Sequence, residues 1–452
     1  MPWIAPFRGL RFREEVCGPI GSLLATAYDA VDDRLTHKLL SASAHNVLRL
    51  ELPAVTPAPD QDRYEAAADL FARWRDECAL VPDPEPSYYV LGHDFVHRGR
   101  RLTQLGLVCL CSLHDWDEQE ILPHERTHPG PREGRLRHLR ALRATFSLGI
   151  LVARDPDREL RSFLEAVAEG PELAGVQRNW FDGHRIWRVD PESVPPAALA
   201  AAGQAPLYMG DGHHRYEAAL AYRDEVVGVL DESVDTAPST PPAQVPAGPA
   251  PEIKKEPGGF SMAYVVSAQD PGLLVLGAHR VLRTDIDLLA PLIEAGWEVS
   301  ERLPAAAVLG RVAALERQNP DEDADPGLWH VGPEEARRLT LPVAVLPHWV
   351  VAGQSDLWNR QESGLVDRQL LLGLSADDGD ITYTRDTRLA VALVRSGGAG
   401  SALLMPALDL ARVMAIADAG EMLPAKTTHF YPKPPAGLVM RWLAVPDGFL
   451  SD

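Results

Sequence analysis

Four polar side chains crowd one short stretch, Pro206-Leu207-Tyr208-Met209-Gly210-Asp211-Gly212-His213-His214-Arg215-Tyr216-Glu217-Ala218-Ala219-Leu220. The pattern predicts a short apolar strand, a tight Asp-Gly turn, and a helix from about His213 onward. Backbone N–H groups at such a helix start, at the positive end of the dipole, make an anion site. Gly212 lets the backbone approach closely, and Arg215 offers a planar fork to a phosphate or carboxylate. His213 and His214 can donate hydrogen bonds or move protons near neutral pH. The blander reading has Asp211 capping the helix and the histidines as polar surface. A similar string, Asp182-Gly183-His184-Arg185, is followed by Ile186-Trp187. It reads as a hairpin turning at the Asp-Gly pair, its polar residues doing no more than making the turn.

A second constellation is Ile121-Leu122-Pro123-His124-Glu125-Arg126-Thr127, followed by a basic helix carrying Arg135, Arg137, His138, Arg140 and Arg143. A carboxylate beside a histidine and near clustered arginines can serve as general base in an anionic-substrate site. The same arginines, three and four apart, also suit a solvated face paired with surface acids. Spacing alone leaves both readings open. The third is Gly420-Glu421-Met422-Leu423-Pro424-Ala425-Lys426-Thr427-Thr428-His429-Phe430-Tyr431-Pro432-Lys433. It follows a helix over Leu408–Ala419, is too polar and proline-bound for core, and sets Lys426 among hydroxyls suited to phosphate. His279-Arg280, after a strand over Leu273–Leu276, is a weaker candidate. The sequence holds no phosphate-loop, dinucleotide, zinc-protease or nucleophile-elbow motif.

The elements that must position these groups are mixed. Tyr64, Ala67, Phe71, Trp74 and Cys78 fall at helical spacing within Gln61–Leu80. Tyr88–Val96 and Leu102–Leu113 flank Arg98-Gly99-Arg100 as a hairpin. Asp155–Gly170 reads as a helix opened by an aspartate and stopped by glycine. Asp235–Pro257 is proline-rich and lacks aromatics, so it reads as a flexible insertion, and Asp321–Pro326 as an acidic surface loop. With no repeat and no regular βαβ rhythm, the fold class expected is α+β, a mixed α/β arrangement.

Composition narrows the partners. Forty-four Lys+Arg against 64 Asp+Glu leave a net charge of −20, which disfavours nucleic acid as a partner. Apolar residues at 46% and charged at 24% are ordinary for a globular chain. Cys109 and Cys111 share one face of an apolar strand and read as buried thiols in a reducing compartment. The N-terminal residues lack a signal-peptide core, and the longest apolar stretch, around Leu341–Gly353, is broken by Pro347 and His348. The chain is expected to be cytoplasmic, with no membrane partner.

These residues resemble the domain-of-unknown-function family numbered 1015 over nearly the whole chain. The landmarks are Pro6-Phe7-Arg8-Gly9-Leu10-Arg11, Tyr28-Asp29, His124-Glu125-Arg126-Thr127, Asp211 through Tyr216, Asp270-Pro271-Gly272-Leu273, and Gly420–Lys433. The Asp-Gly-His-His-Arg turn is similar to the nucleotide-binding turn of the ParB/sulfiredoxin superfamily. Free-serine kinases of that superfamily carry a Pro-His-Glu upstream and an Asp-Gly-His-[Thr/His]-Arg downstream. Pro123-His124-Glu125 and Asp211–Arg215 stand in that order here.

The resemblance implies a ParB/sulfiredoxin-like catalytic core in residues 1–232, a Pro-rich insertion over 233–259, and a C-terminal α/β portion over 260–452. It also implies a kinase moving a phosphoryl group from ADP or ATP, with Mg2+, to a free hydroxyl amino acid, L-serine foremost. Glu125, Asp211, His213 and His214 would be catalytic. Gly212, His213, His214, Arg215 and Lys426 would hold the nucleotide, and His124, Arg126, Thr127 and Arg135 the substrate. No protein-bound metal is expected, and a homodimer is left open. The alternative is a nucleotide-binding regulatory protein of the ParB type, taking CTP or ATP without transfer. Positive groups bunch at Arg126–Arg143, His213–Arg215 and Lys426–Lys433. In a chain of this net charge that pattern favours an anionic small molecule.

Overall fold

The computed structural model describes residues 1–27, 33–53, 62–126, 129–179, 182–232, 257–311, 325–348, 350–369 and 379–445. Tyr28-Asp29, Gln61, Thr127, Trp180-Phe181, nearly all of the Pro-rich run and the start of the acidic loop lie outside them. The fold is mixed α/β, and the chain divides into two compact units. One comprises Met1–Ile121, His128–Leu273 and Pro432–Asp452; the other comprises Leu122–Thr127 and Leu274–Tyr431. The expected boundary at 233–259 therefore does not separate them.

The first unit is built on strands β1 (Tyr88–His97), β2 (Arg100–Ser112), β3 (Gly149–Ala153), β4 (Ala174–Asn179), β5 (Asp182–Val189), β6 (Leu207–Asp211) and β7 (Phe260–Ser267). With the short strand Ile4–Ala5 and an edge strand at Ile121 they form one sheet. Its order from the Ile121 edge is β6-β3-β7-β2-β1-β5-β4, and Ile4–Ala5 pairs with β2. β7 runs parallel to β3 and antiparallel to β2, so residues expected in a C-terminal portion sit mid-sheet. Arg98 and Gly99 turn the β1–β2 hairpin at φ of 51° and 76°, the positive values a tight right-twisted hairpin needs. Cys109 and Cys111 lie on one buried face of β2, and burial pushes the Cys111 thiol up to about 12.

Four helices matter to the site: α1 (Arg63–Asp76), α2 (Pro129–Leu142), α3 (Glu159–Ala168) and α4 (His213–Glu232). Asp62 caps α1 by accepting from Tyr64 N at 2.8 Å, and Tyr64, Ala67, Phe71 and Trp74 bury one stripe. A large apolar side chain such as Phe71 contributes about 1.5–3 kcal/mol by leaving water. Cys78 is not part of that stripe: the chain turns left-handed there (φ 55°) and exposes it. α3 opens later than Asp155, because Asp155 and Arg158 both take positive φ. Asp155 instead reaches forward to accept from Leu160 N and Arg161 N. Asp182 and Gly183 are already in β5, so the hairpin does not turn on them.

The second unit holds the pair β8 (Leu274–Gly277) with a later strand, and a six-stranded antiparallel sheet of β9 (His279–Leu282), β10 (Glu298–Pro304), β11 (Gly327–Val331), β12 (Glu335–Thr340), β13 (Ile381–Thr384) and β14 (Ser401–Leu404). The sheet order is β10-β12-β11-β14-β9-β13, and β8 pairs with β15 (Thr428–Tyr431). His279 and Arg280 are buried residues of β9, the strand that follows β8. Among the described residues no helix is long and apolar enough to cross a membrane.

Candidate functional site

The turn after β6 has the expected form. Leu207, Tyr208 and Met209 are buried, and the β6–β3 ladder slips between Met209 and Asp211, which re-aims the aspartate. Gly212 follows at φ +100°, and α4 starts at His213, with Tyr216 N donating to Gly212 O at 2.9 Å. A Cβ on Gly212 would lie 3.0 Å from Arg215 Nη2 and 3.2 Å from Gly149 Cα. Backbone and side chains are packed so closely here that only glycine fits without strain. The amides of the first turn precede the first intrahelical bond, the arrangement that suits an anion.

Asp211 does more than cap. Its Oδ2 accepts from Arg215 Nη2 at 2.9 Å, and its Oδ1 pairs with Lys433 Nζ at 2.6 Å. Arg215 Nη1 donates to Ser147 Oγ at 2.9 Å and to Leu148 O at 2.8 Å. Ser147 Oγ donates to Glu51 Oε1 at 2.8 Å, and Arg135 Nη1 lies 3.1 Å from the same carboxylate oxygen. Arg135 and the Asp211–Arg215 turn, far apart in sequence, are therefore joined within one unit through Ser147 and the buried Glu51. Three cations, Arg135, Arg215 and Lys433, thus stand with the carboxylates of Glu51 and Asp211 along one run of contacts.

A cavity of about 70 Å³ lies behind this network, lined among others by Glu51, Arg135, His138, Ser147, Gly212 and Arg215. That volume suits a few water molecules and is well below the ~300 Å³ of small-molecule pockets. Burial holds His138 below the ordinary imidazole range, with Arg135 pushing the same way, and its Nε2 lies 2.7 Å from Leu50 O. Arg137 pairs with Asp62 and Arg140 with Glu225 on exposed surface, so for these two the solvated-face reading is the right one.

Pro123-His124-Glu125 belongs to the second unit. Glu125 Oε1 accepts from Lys426 N at 2.6 Å. Its Oε2 accepts from Thr427 N, Thr428 N and Thr428 Oγ1, each at 3.1 Å. The buried His124 Nε2 lies 2.8 Å from Thr428 Oγ1, and main-chain bonds tie His124 and Arg126 to Leu423. Lys426, at φ 61°, contributes its amide to the carboxylate. The segment expected to be too polar for core buries Leu423, Thr427 and Phe430 and enters β15, because Glu125 satisfies its backbone donors. Nearby, burial holds the Asp367 carboxyl above its ordinary range, against the pull of Arg280 at 2.8 Å, while the charge of Glu125 adds to the rise.

The structure thus groups Arg135, Asp211, Gly212, His213, His214 and Arg215 in the first unit, and His124, Glu125, Arg126 and Lys426 in the second. Thr127 lies outside the described residues. Lys433, Ser147 and Glu51 were not anticipated as site residues. Glu51 carried a signal, a lone acid flanked on both sides by leucine in Leu48-Arg49-Leu50-Glu51-Leu52. Ser147 carried none.

No curated protein matches the chain. Among solved structures, a free serine kinase in complex with AMP is 12% identical, covering 69% of this chain and 83% of that one, at a TM-score of 0.34. A conserved hypothetical protein from Pyrococcus furiosus is 12% identical over 70% and 88%, at 0.33. SbnI with a C-terminal truncation, from Staphylococcus aureus, is 12% identical over 75% and 91%, at 0.35. The family model described as protein of unknown function (DUF1015) matches residues 4–320, more than half of the chain. The chain accordingly belongs to the DUF1015 family.

Proposed function

We propose that this protein is a cytoplasmic phosphotransferase with a ParB/sulfiredoxin-like core. It moves a phosphoryl group from ADP or ATP to the hydroxyl of a free amino acid, L-serine foremost. One observation carries the reading: the Asp211–Arg215 turn combines Gly212 at positive φ, a helix start, and the cations Arg215 and Lys433 around one aspartate. Oriented amides and cations are what phosphoryl transfer asks of a protein. The serine hydroxyl oxygen bonds to the terminal phosphorus, the bridging P–O bond breaks, and AMP or ADP leaves. Glu125 is proposed to take the hydroxyl proton, for which Oε1, bonded to the Lys426 amide, keeps acceptor capacity. Both oxygens of Asp211 are engaged by cations, so the turn does not fit Mg2+ as a directly held ion, and no step here runs through one.

A second reading is supported by the four hydrogen bonds on Glu125, which suit a loop anchor as well as a base. Under it the protein binds a nucleotide such as CTP or ATP and regulates without transfer. Incubation with serine and each nucleotide, with O-phosphoserine followed by mass spectrometry, separates the two. The kinase reading expects phosphoserine from the wild type and none from Glu125→Gln. Nucleotide binding without phosphoserine would favour the regulatory one, and full activity in Glu125→Gln would remove the assigned base.

A further inference from the structure

We propose that His93, Asp182 and His184 form an open binding site for a divalent transition-metal ion of the zinc class. The site lies in the first unit and is independent of the phosphoryl-transfer reading. His184 on β5 stands directly opposite His93 on β1, and the ladder register shifts between Asp182 and Gly183, where the Asp182 carboxylate meets the His93 ring. His93 Nε2 and Asp182 Oδ1 are 3.0 Å apart, and the two imidazole centroids are 4.1 Å apart at 61°. One donor atom from each of the three residues lies within 4.8 Å of the others. Tetrahedral ligands at ~2.0–2.1 Å from zinc stand about 3.3 Å from one another. The His93–Asp182 separation already matches that edge, and turning the His184 ring supplies the remaining closure. Two imidazoles and one carboxylate are a borderline-soft nitrogen and oxygen set, suited to Zn2+ rather than Mg2+ or Ca2+. Three protein ligands leave at least one position for water or an anion.

A second observation points the same way. Gln104 on β2 is opposite His93 on its other side, fully buried, and neither of its amide atoms has a hydrogen-bond partner. His93 Nδ1 is likewise buried without an acceptor. A histidine that gives one nitrogen to a metal ordinarily donates its other N–H to a neighbouring acceptor. With Nε2 on the metal, the Nδ1 proton would need such an acceptor, and the amide oxygen of Gln104 is the cross-strand candidate. Arg185, next to His184 on the strand, is turned to Asp94 in a two-pronged pair. Gln104 is a positioning residue in this scheme, and the other three are ligands.

The test uses the full chain, stripped with a chelator and titrated with Zn2+ against a chromogenic competitor, then with Co2+ followed by its d–d absorption. The wild type is expected to take up one tight equivalent, with cobalt bands of a four- or five-coordinate site. Asp182→Asn and His184→Gln should each weaken Zn2+ by about 100-fold or more, and Gln104→Leu by about 10–100-fold. Circular dichroism and thermal unfolding in chelator check that each variant folds, and Asp182→Asn, at the more exposed ligand, is the mildest of them. No tight equivalent in the wild type, or one retained by His93→Gln/His184→Gln, overturns the site in favour of a plain His–Asp hydrogen bond. Unchanged affinity in Gln104→Leu overturns its positioning role.

Discussion

Asp182-Gly183-His184-Arg185 and Asp211-Gly212-His213-His214-Arg215 are nearly the same string in two unlike backbones. In the first, Asp182 and Gly183 are ladder positions facing Asn179 and Asp94, and His184 faces His93 across the sheet. In the second, Gly212 is at φ +100° and the histidines open a helix. The residues just after each string decide between the two backbones. Ile186-Trp187 are strand formers with apolar bulk, whereas Glu217-Ala218-Ala219-Leu220 are helix formers. The arginines diverge in consequence. Arg215, four residues past Asp211 on a helix, folds back on it, while Arg185 reaches across to Asp94 on the next strand. Nearly the same residues therefore open a helix at a glycine turn in one place and face a histidine across a sheet in the other.

The contrast can be tested by unequal damage. Glu51→Ala removes the carboxylate on which Arg135 and Ser147 lean behind the helix turn. It should cost about 3 kcal/mol in urea unfolding, and should leave Zn2+ uptake at His93, Asp182 and His184 unchanged. A loss below about 1 kcal/mol would show that the network does not support the turn. Gly212→Ala places a Cβ at positive φ against Arg215 and Gly149. It should cost about 2 kcal/mol and abolish nucleotide binding by calorimetry.

Arg215→Lys and Arg185→Lys form a matched pair. The half-buried Arg215 bonds three acceptors, so its loss should cost about 1.5 kcal/mol. Arg185 and Asp94 are about a third exposed and screened by water, so that exchange should cost about 0.5 kcal/mol. Equal losses in thermal unfolding would erase the distinction drawn between the two strings.

The mildest perturbation is pH. His138 is held below its unfolded value of ~6.5, so the unfolded chain binds more protons there as the medium acidifies. The stabilisation is full above that unfolded value and is lost as pH falls toward the lower folded one. Urea midpoints at about pH 7.5 and about pH 5.5 should fall less in His138→Gln than in the wild type. An identical fall would deny His138 this role.

The legible part of the sequence was local. The α1 stripe, the β1–β2 hairpin and the Asp211–Arg215 turn each arise from residues within a few positions of one another. The contacts that join Glu125 to Thr428 span 303 residues, and no local period encodes them. The same holds for Lys433 at Asp211, where the sequence pointed instead to Lys426, another lysine of the same segment. Composition reports where polar and apolar residues concentrate along the chain. It does not report that β7 slots between β2 and β3.

The order in which the chain is made gives that connectivity a temporal cost. Arg441–Trp442 pairs with Ala144–Thr145, Arg441 donates to Phe260 O, and Lys433 reaches Asp211, all within the first unit. Between β7 and those closing residues the ribosome must deliver the about 160 residues of Leu274–Tyr431, which takes about 8–32 s at 5–20 residues per second. During that interval the first unit waits with its last partners unmade and Asp211 without its lysine. The half synthesised first is the half completed last.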